Sequence, residues 1–217
     1  MSRVSASARW LTIHDDLLRG LAHDVSNRVA TVSAIASLLD PARLPDERVL
    51  SGLRLDAERL ERLLEQLRQL PRRADAEAEP MLAGDAVRTA LALFACHPEF
   101  RDVACTVVAA DDVAPVRADP VALAHALCVA LTAAARVGAG RGGAAHAGVR
   151  VALSTEGDVV RLDVSADGST GEGDVDDLAL DAAAVTWLLE GSRGQGEAHA
   201  YGCRMEVPTL QASRRAR

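Results

Sequence analysis

Two stretches near the start of the chain repeat apolar residues at the spacing of paired helices. In the first, the apolar residues that recur at every seventh position are Leu18, Val25, Val32 and Leu39, with Leu21 and Ile35 between them. In the second, alternating steps of three and four residues join Leu50, Leu53, Ala57, Leu60, Leu64 and Leu67. This spacing places apolar side chains along one side of a helix that packs against another helix. The pattern therefore predicts two amphipathic helices.

The segment between these helices, DPARLPDER at residues 40–48, contains two prolines. Proline ends a helix that precedes it and is favoured in the first turn of the next helix, so the chain is expected to reverse direction here. The sequence thus predicts an antiparallel helical hairpin. Since a lone hairpin cannot cover its own apolar sides, we expect two copies to form a dimeric four-helix bundle, which makes the protein a homodimer.

The rest of the chain alternates between helical and strand patterns, after a segment at residues 71–80, PRRADAEAEP, that is typical of a linker. Helices are predicted at about 84–96, 120–136 and 177–190, and strands at 103–108, at 149–167 as a hairpin turning at Glu156 and Gly157, and near 203–207. The glycine-rich GAGRGGAAHAG, residues 138–148, is predicted to be a loop. The fold class is therefore α+β, with a hairpin domain over residues 1–72 and an α/β sandwich domain over residues 80–210.

Composition limits the cellular locations and the classes of binding partner that are expected for this chain. With 2% aromatic residues and a formal net charge of −7, the chain lacks the basic, aromatic surface typical of nucleic-acid binding. The N-terminal MSRVSASARWLTIHDD has no apolar run long enough for a signal peptide, and the longest apolar run, residues 121–135, is shorter than a bilayer-spanning helix. The four cysteines form no C-x-x-C pair. We therefore expect a cytoplasmic protein that binds neither nucleic acid nor membrane.

The first helix carries a polar motif, H-D-x-x-N, formed by His23, Asp24 and Asn27. In the heptad frame that starts at Leu18, His23 falls on the side of the helix that faces away from the hairpin seam. A second histidine followed by aspartate begins at His14, but the same frame turns that histidine toward the seam or into a frayed end. The periodicity therefore favours His23 as the exposed histidine.

An exposed imidazole followed by a carboxylate is suited to accept a phosphoryl group. Asp24 can hold the proton on Nδ1, which leaves Nε2 free to attack. Asn27 could orient a water molecule for hydrolysis, and Arg19 or Arg28 could offset the charge of the phosphoryl group. On this short motif alone, the alternative that His23 is one more polar residue of a solvated helix face stays open.

On these residues the chain resembles the histidine-kinase superfamily. The stretch LAHDVSNRVATVSAIASLL is similar to the H-box of the hairpin through which these proteins dimerise and carry phosphoryl groups. The resemblance implies that His23 is the phosphorylated residue, that Asp24 is its acid–base partner and that Asn27 is a phosphatase-type polar group. It also implies that the partners are response-regulator receiver domains and possibly a hybrid histidine kinase.

The second half of the chain departs from the ATP-binding motifs of that superfamily. The positions that the family fills with two asparagines, an aspartate and two glycines hold Val129, Ala133, Ala166 (or, with a shifted register, Asp167), Ala179 and Asp181. Apolar side chains cannot ligate Mg²⁺, which binds oxygen donors, and a carboxylate repels a triphosphate. The segment expected to form a lid over the nucleotide is shortened to STGEGDVDD, residues 169–177.

These departures resemble the ChpT-like histidine phosphotransferases, a group within the superfamily that has a dimeric hairpin and a degenerate ATPase-like domain. The resemblance implies a phosphotransferase that moves phosphoryl groups between receiver aspartates without ATP. It implies no cofactor and no metal for this chain, with Mg²⁺ held by the partner receiver domain. The alternatives are a divergent ATP-dependent histidine kinase, a response-regulator phosphatase, and a non-catalytic kinase-binding adaptor in which His23 is incidental.

Overall fold

Long helices come first in this fold, and a mixed layer of helices and strands follows. The computed structural model describes residues 2–39, 42, 45–70, 77–139, 148–167 and 173–215. Its helices are α1 (Arg3–Leu38), α2 (Glu47–Gln69), α3 (Ala83–Phe94), α4 (Pro120–Ala139), α5 (Val175–Leu189) and α6 (Leu210–Arg215), with a 3-10 turn at Glu190–Ser192. Its strands are β1 (Glu79–Met81), β2 (Cys105–Ala109), β3 (Val116–Ala118), β4 (Gly148–Glu156), β5 (Val159–Asp167), β6 (Gln195–His199) and β7 (Gly202–Pro208). The predicted α+β class is confirmed.

The first helix is longer than its apolar repeat indicates. It begins at Arg3, where the hydroxyl of the N-cap residue Ser2 accepts a hydrogen bond from the backbone N–H of Ser5 at 3.2 Å. The N-terminal half of α1 packs on α5 and α4. Within the single chain the buried side of this half includes Leu17 and Leu21, both 0% exposed, whereas Leu18 is 41% exposed. The burial is offset from the heptad frame because the α/β layer, and not α2, covers this half.

The C-terminal half of α1 forms the predicted hairpin with α2. Asp46 caps α2 by accepting a hydrogen bond from the backbone N–H of Arg48 at 2.8 Å. Between the two helices lies a buried carboxylate, Asp56, whose Oδ1 accepts a hydrogen bond from Arg28 Nη1 of α1 at 3.2 Å. Four residues of the proline-containing connection, 40, 41, 43 and 44, lie outside the described part of the chain.

Five strands form the main sheet in the order β2-β4-β5-β7-β6, with β2 parallel to β4 and the other neighbours antiparallel. The β4–β5 hairpin turns at Gly157, whose φ of 60° lies in the left-handed region that glycine adopts freely, as the sequence predicts. Alternate residues of β5, among them Leu162 and Val164, are buried at 0% exposure under the helices.

The helix at the centre of the domain, α4, is buried on nearly all sides. It lies on strands β4, β5 and β7, and α3, α5 and α1 cover the rest of its surface. Alanines fill much of it because neighbouring helices and strands approach closely from several directions. Among the described helices, α4 alone is long and apolar enough to cross a membrane by length and composition, and 83% of that stretch is buried within the protein, as in a core helix.

Three short strands and the last helix were not predicted. β1 lies within the predicted linker and pairs with β3, with Pro80 opposite Arg117, so the linker prediction is wrong at residues 79–80. Residues 71–76 of that segment lie outside the description, as do residues 140–147 of the predicted glycine-rich loop. Strands of three residues are too short to show an alternating apolar pattern.

The α1 helix approaches the α/β layer closely at Gly20. A Cβ atom placed on Gly20 would lie 1.7 Å from the carbonyl oxygen of Cys96. Cys96 belongs to the turn that follows α3, residues 95–102, here called the α3 turn. Backbone therefore packs directly on backbone at this point, three residues before His23.

We expect Gly20→Ala to lower the free energy of unfolding by about 2 kcal/mol or more, because an added methyl group must push α1 away from the α3 turn. The control is Gly52→Ala on α2, where nothing lies within 4 Å of the added Cβ. That substitution should raise stability by about 0.5–1 kcal/mol through helix propensity. Urea denaturation of both variants measures the difference, and equal effects would contradict the close packing at Gly20.

Candidate functional site

The three residues of the H-D-x-x-N motif meet on the exposed side of α1. The side chain of His23 is 59% exposed, and its Nδ1 lies 3.1 Å from Asp24 Oδ1. Since a carboxylate only accepts hydrogen bonds, Nδ1 donates, and the lone pair of the neutral ring is on Nε2. One turn further along, Asn27 Nδ2 lies 3.2 Å from Nε2. The structure thus places a basic ring nitrogen at an accessible surface, as the heptad frame predicts.

The rival histidine occupies a different environment. His14 lies well inside α1 and is not in a frayed end. Its side chain is partly buried, at 24% exposure, and its ring lies edge-on against Trp10 with centroids 5.7 Å apart. Its Nδ1 is 3.5 Å from Asp15 Oδ1. His14 is therefore part of the packing between α1 and the α/β layer.

The two arginines predicted to hold a phosphoryl group are both in ion pairs. Arg19 Nη1 lies 3.0 Å from Asp16 Oδ1, and Arg28 Nη1 lies 3.2 Å from Asp56 Oδ1. In the described part of the chain, neither guanidinium has a hydrogen bond or ion pair with His23. Arg28 faces α2 because it occupies a seam position of the same heptad frame that turns His23 outward.

A further basic residue, Arg101 of the α3 turn, reaches the motif from the α/β layer. Its Nη1 lies 3.7 Å from Asp24 Oδ1, the oxygen that also accepts from His23. Asp24 therefore lies between the imidazole and a guanidinium. The sequence carries no local signal for this contact, since the two segments meet only through the packing of α1 on the α3 turn.

The α3 turn that presents Arg101 is held by buried side chains. His97 is 3% exposed and stacks on Phe100 with ring centroids 4.7 Å apart, and burial lowers the pKa of His97 below its ordinary value. Burial likewise raises the pKa of the Cys96 thiol to about 11, and the thiol donates to Gln66 Oε1 of α2 at 3.5 Å. Both residues are therefore neutral packing groups that tie the turn to α1 and α2.

An open cavity of about 540 Å³ lies next to the motif, between α1, α2 and the α3 turn. Its polar lining includes Asp24, Asn27, Arg28, Arg59, Arg62 and Arg101. Four guanidinium groups thus surround one space beside the histidine. The periodicity of α2 gave no indication of this cavity, because its arginines look like the solvated side of an amphipathic helix.

The positions that the resemblance assigns to nucleotide binding lie within helix packing. Val129 and Ala133 of α4 are 0% and 1% exposed. Ala179 and Asp181 belong to the helix α5 and not to a loop. Residues 169–172 of the predicted lid lie outside the described residues.

Asp181 of α5 links the N-terminal half of α1 to α4 and α5 through ion pairs. Its Oδ1 accepts a hydrogen bond from Arg9 Nε of α1 at 2.6 Å, and its Oδ2 accepts one from Arg136 Nη2 of α4 at 2.6 Å. Burial raises the pKa of Asp181 to about 6, and the Arg9 guanidinium opposes that shift. The sequence predicted that this carboxylate would repel a triphosphate. In the structure its charge is used in ion pairs with Arg9 and Arg136.

Within the described residues, no group of three or more His, Cys, Asp or Glu side chains is arranged to hold a metal ion. His125 and Cys128 of α4 are both 0% exposed. His125 stacks on Trp10 with ring centroids 4.2 Å apart, and its Nε2 lies 2.8 Å from the carbonyl oxygen of Gln69. This pair belongs to the core that joins α1, α2 and α4.

Comparison with known proteins gives similarity in fold. No protein-family model and no curated protein matches the chain. Solved structures that are similar include the histidine kinase AdeS of Acinetobacter baumannii, at 16% identity and a TM-score of 0.46, covering 87% of this chain and 98% of that one. The catalytic domain of histidine kinase ThkA is similar at 13% identity and a TM-score of 0.47. The match covers 61% of this chain and 96% of the ThkA domain. A third is ThkA in complex with the response regulator TrrA, at 14% identity and a TM-score of 0.45. That match covers 92% of this chain and 63% of the ThkA chain. These likenesses concern the arrangement of helices and strands and not the residues of the site.

We expect Asp181→Ala to lower the free energy of unfolding by about 2–3 kcal/mol, because it leaves the guanidinium groups of Arg9 and Arg136 without their buried acceptor. Asp177→Ala is the matched control, since Asp177 lies 3.5 Å from the same Arg9 but is 58% exposed. The control should cost less than about 1 kcal/mol. Thermal and chemical unfolding of the two variants checks the difference, and a loss in the control as large as that of Asp181→Ala would contradict the assignment.

Proposed function

We propose that this chain is a histidine phosphotransfer protein of a two-component phosphorelay. His23 accepts a phosphoryl group from the aspartyl phosphate of one response-regulator receiver domain and passes it to another. The observation that carries the proposal is the exposed imidazole whose Nδ1 is 3.1 Å from Asp24, which leaves Nε2 as the nucleophile.

The transfer needs no group beyond these side chains and the receiver. The Nε2 lone pair forms a bond to phosphorus, and the bond between phosphorus and the receiver's aspartyl oxygen breaks, which returns that aspartate as a carboxylate. The Nδ1 proton stays between the ring and Asp24, whose charge balances that of the phosphorylated imidazole. The second receiver takes the phosphoryl group by the reverse of this step. The receivers supply Mg²⁺, and this chain supplies no cofactor.

Asn27 can support phosphoryl transfer, and it could also support hydrolysis of a receiver phosphate. Its amide lies 3.2 Å from Nε2, within reach of a phosphoryl oxygen on that nitrogen or of a water molecule beside it. In the first position the amide stabilises the transferred group. In the second it orients water for hydrolysis, which is the activity of a response-regulator phosphatase.

The helix packing weighs against an ATP-dependent kinase. The positions that a kinase of this superfamily would use for Mg²⁺ hold Val129 and Ala133, which are buried and offer no oxygen donor. Asp181 is already paired with Arg9 and Arg136, so that side of α5 meets α1. We infer that the α/β domain serves as a docking surface for the receiver domains and possibly for a hybrid kinase, in the cytoplasm.

We infer a homodimer from the apolar surface that α1 and α2 leave uncovered. On α2, the residues that face outward at steps of seven include Leu50 and Leu64, which are 45% and 49% exposed. On α1, Leu11 and Leu18, also seven residues apart, are 57% and 41% exposed. Pairing two hairpins would bury these stripes in a four-helix bundle and leave His23 on the outer side.

The test mixes the purified chain with a phosphorylated receiver and, separately, with labelled ATP. We expect acid-labile, base-stable label on the chain from the receiver only, because the neutral ring can attack an acyl phosphate directly. His23→Ala should abolish the label, whereas His14→Ala, which removes the other histidine of α1 that precedes an aspartate, should retain it. Asn27→Ala should retain transfer and slow any hydrolysis of the receiver phosphate. Label from ATP alone, or full labelling of His23→Ala, would contradict the proposal.

For the dimer, we expect the combined substitution Leu50→Glu and Leu64→Glu to convert the protein to a monomer, since two charges on each helix cannot be buried in the bundle. Val175→Glu is the control, because Val175 is 79% exposed and belongs to α5, outside both leucine stripes. Sedimentation equilibrium gives the mass of each variant. A monomeric parent protein, or a leucine variant that remains dimeric, would show that these stripes are not the interface.

A further inference from the structure

The cavity between α1, α2 and the α3 turn has an excess of positive charge. Arg28 and Arg59 share the buried carboxylate of Asp56, at 3.2 and 3.5 Å, and Arg101 lies 3.7 Å from Asp24. Arg62 also lines the cavity, and it has no hydrogen bond or ion pair with another described residue. Four guanidinium groups therefore face two carboxylates, which leaves two positive charges unbalanced.

These charges are accessible to a ligand. The side chains of Arg28, Arg59 and Arg101 are 39%, 41% and 36% exposed, so each is held in place by packing but still reaches the solvent. The ligand that matches two unbalanced charges on guanidinium forks is a phosphate group, which carries about −1.5 to −2 charges near neutral pH and accepts paired hydrogen bonds from arginine.

The volume of the cavity leaves room for more than a free ion. About 540 Å³ falls within the usual range of small-molecule sites, roughly 300–1,000 Å³. Besides the arginines, the walls include the apolar side chains of Leu63, Ala92 and Ala95. A small organic body attached to the phosphate would lie against this apolar part.

We propose that this cavity binds a phosphate dianion, free or as the monoester of a small molecule, and that the bound phosphate competes with Asp24 for Arg101. The link to His23, which rests on the proposed function, runs through one atom: Asp24 Oδ1 contacts Arg101 Nη1 and also accepts the Nδ1 hydrogen bond of His23. Drawing Arg101 into the cavity leaves that oxygen to His23 alone. The ligand would thus regulate the phosphotransfer histidine from a site beside it.

The experiment titrates the full chain alone with inorganic phosphate, phenyl phosphate and benzenesulfonate, and follows the backbone amides of Asp24 and Asn27 by NMR. We expect saturable binding of both phosphates and at least about tenfold weaker binding of the singly charged sulfonate. Tighter binding of phenyl phosphate than of inorganic phosphate identifies a monoester ligand, and equal binding identifies free phosphate. Because the titration contains no receiver domain, the phosphate affinity that it measures does not depend on whether His23 carries phosphoryl groups.

The variants locate the site. Arg62→Ala should weaken phosphate binding about tenfold, and Arg62→Lys should restore part of it, since lysine keeps the charge but not the fork. Arg68→Ala is the matched control, because Arg68 is also an exposed arginine of α2 but pairs with Glu65 at 3.2 Å outside the cavity. Unsaturable shifts, equal affinity for the sulfonate, or an Arg62→Ala protein that binds phosphate like the parent would overturn the proposal.

Discussion

The contact between Gly20 and the carbonyl oxygen of Cys96 governs how the two parts of this molecule relate to each other. At that point the α1 helix and the α3 turn touch backbone to backbone, so α1 can neither slide nor rotate without a clash. This contact and the packing of α1 on α2 together place the residues downstream of Gly20. It brings Asp24 within 3.7 Å of Arg101 while His23, one residue earlier, faces the solvent. The exposed imidazole of His23 is thus positioned by backbone packing at a distance from the ring itself.

The helix that carries His23 has two roles along its length. Its N-terminal half belongs to the core of the α/β layer, where Trp10 stacks on His125 at 4.2 Å and Arg9 pairs with Asp181. Its C-terminal half forms the hairpin with α2. The same packing accounts for two departures of the α/β layer from the kinase motifs, since α4 needs small apolar residues where helices meet and α5 needs a carboxylate for Arg9. Burial of Val129 and Ala133 and exposure of His23 are thus two results of one helix–helix arrangement.

Periodicity in the sequence predicted what depends on local pattern. The hairpin, the helices α3, α4 and α5 and the β4–β5 turn at Gly157 all lie close to their predicted places, and the heptad frame correctly turned His23 outward. The short strands β1, β3 and β6 carry no recognisable alternation. Arg101 and the Arg9–Asp181 pair could not be predicted, because their partners are distant in the chain and meet only through tertiary packing. The offset from Leu18 to Leu17 in α1 has the same origin, since the surface that buries this half is the α/β layer.

If Asp24 fixes the ring of His23 so that Nε2 reacts, imidazole NMR on protein with ¹⁵N-labelled histidines will show it directly. Six histidines contribute signals, and a His23→Gln variant assigns the relevant one. We expect the single proton of the neutral form of the ring on Nδ1 and, after incubation with a phosphorylated receiver, phosphorus–nitrogen coupling at Nε2. A resting ring protonated on Nε2, or a phosphoryl group found on Nδ1, would contradict it.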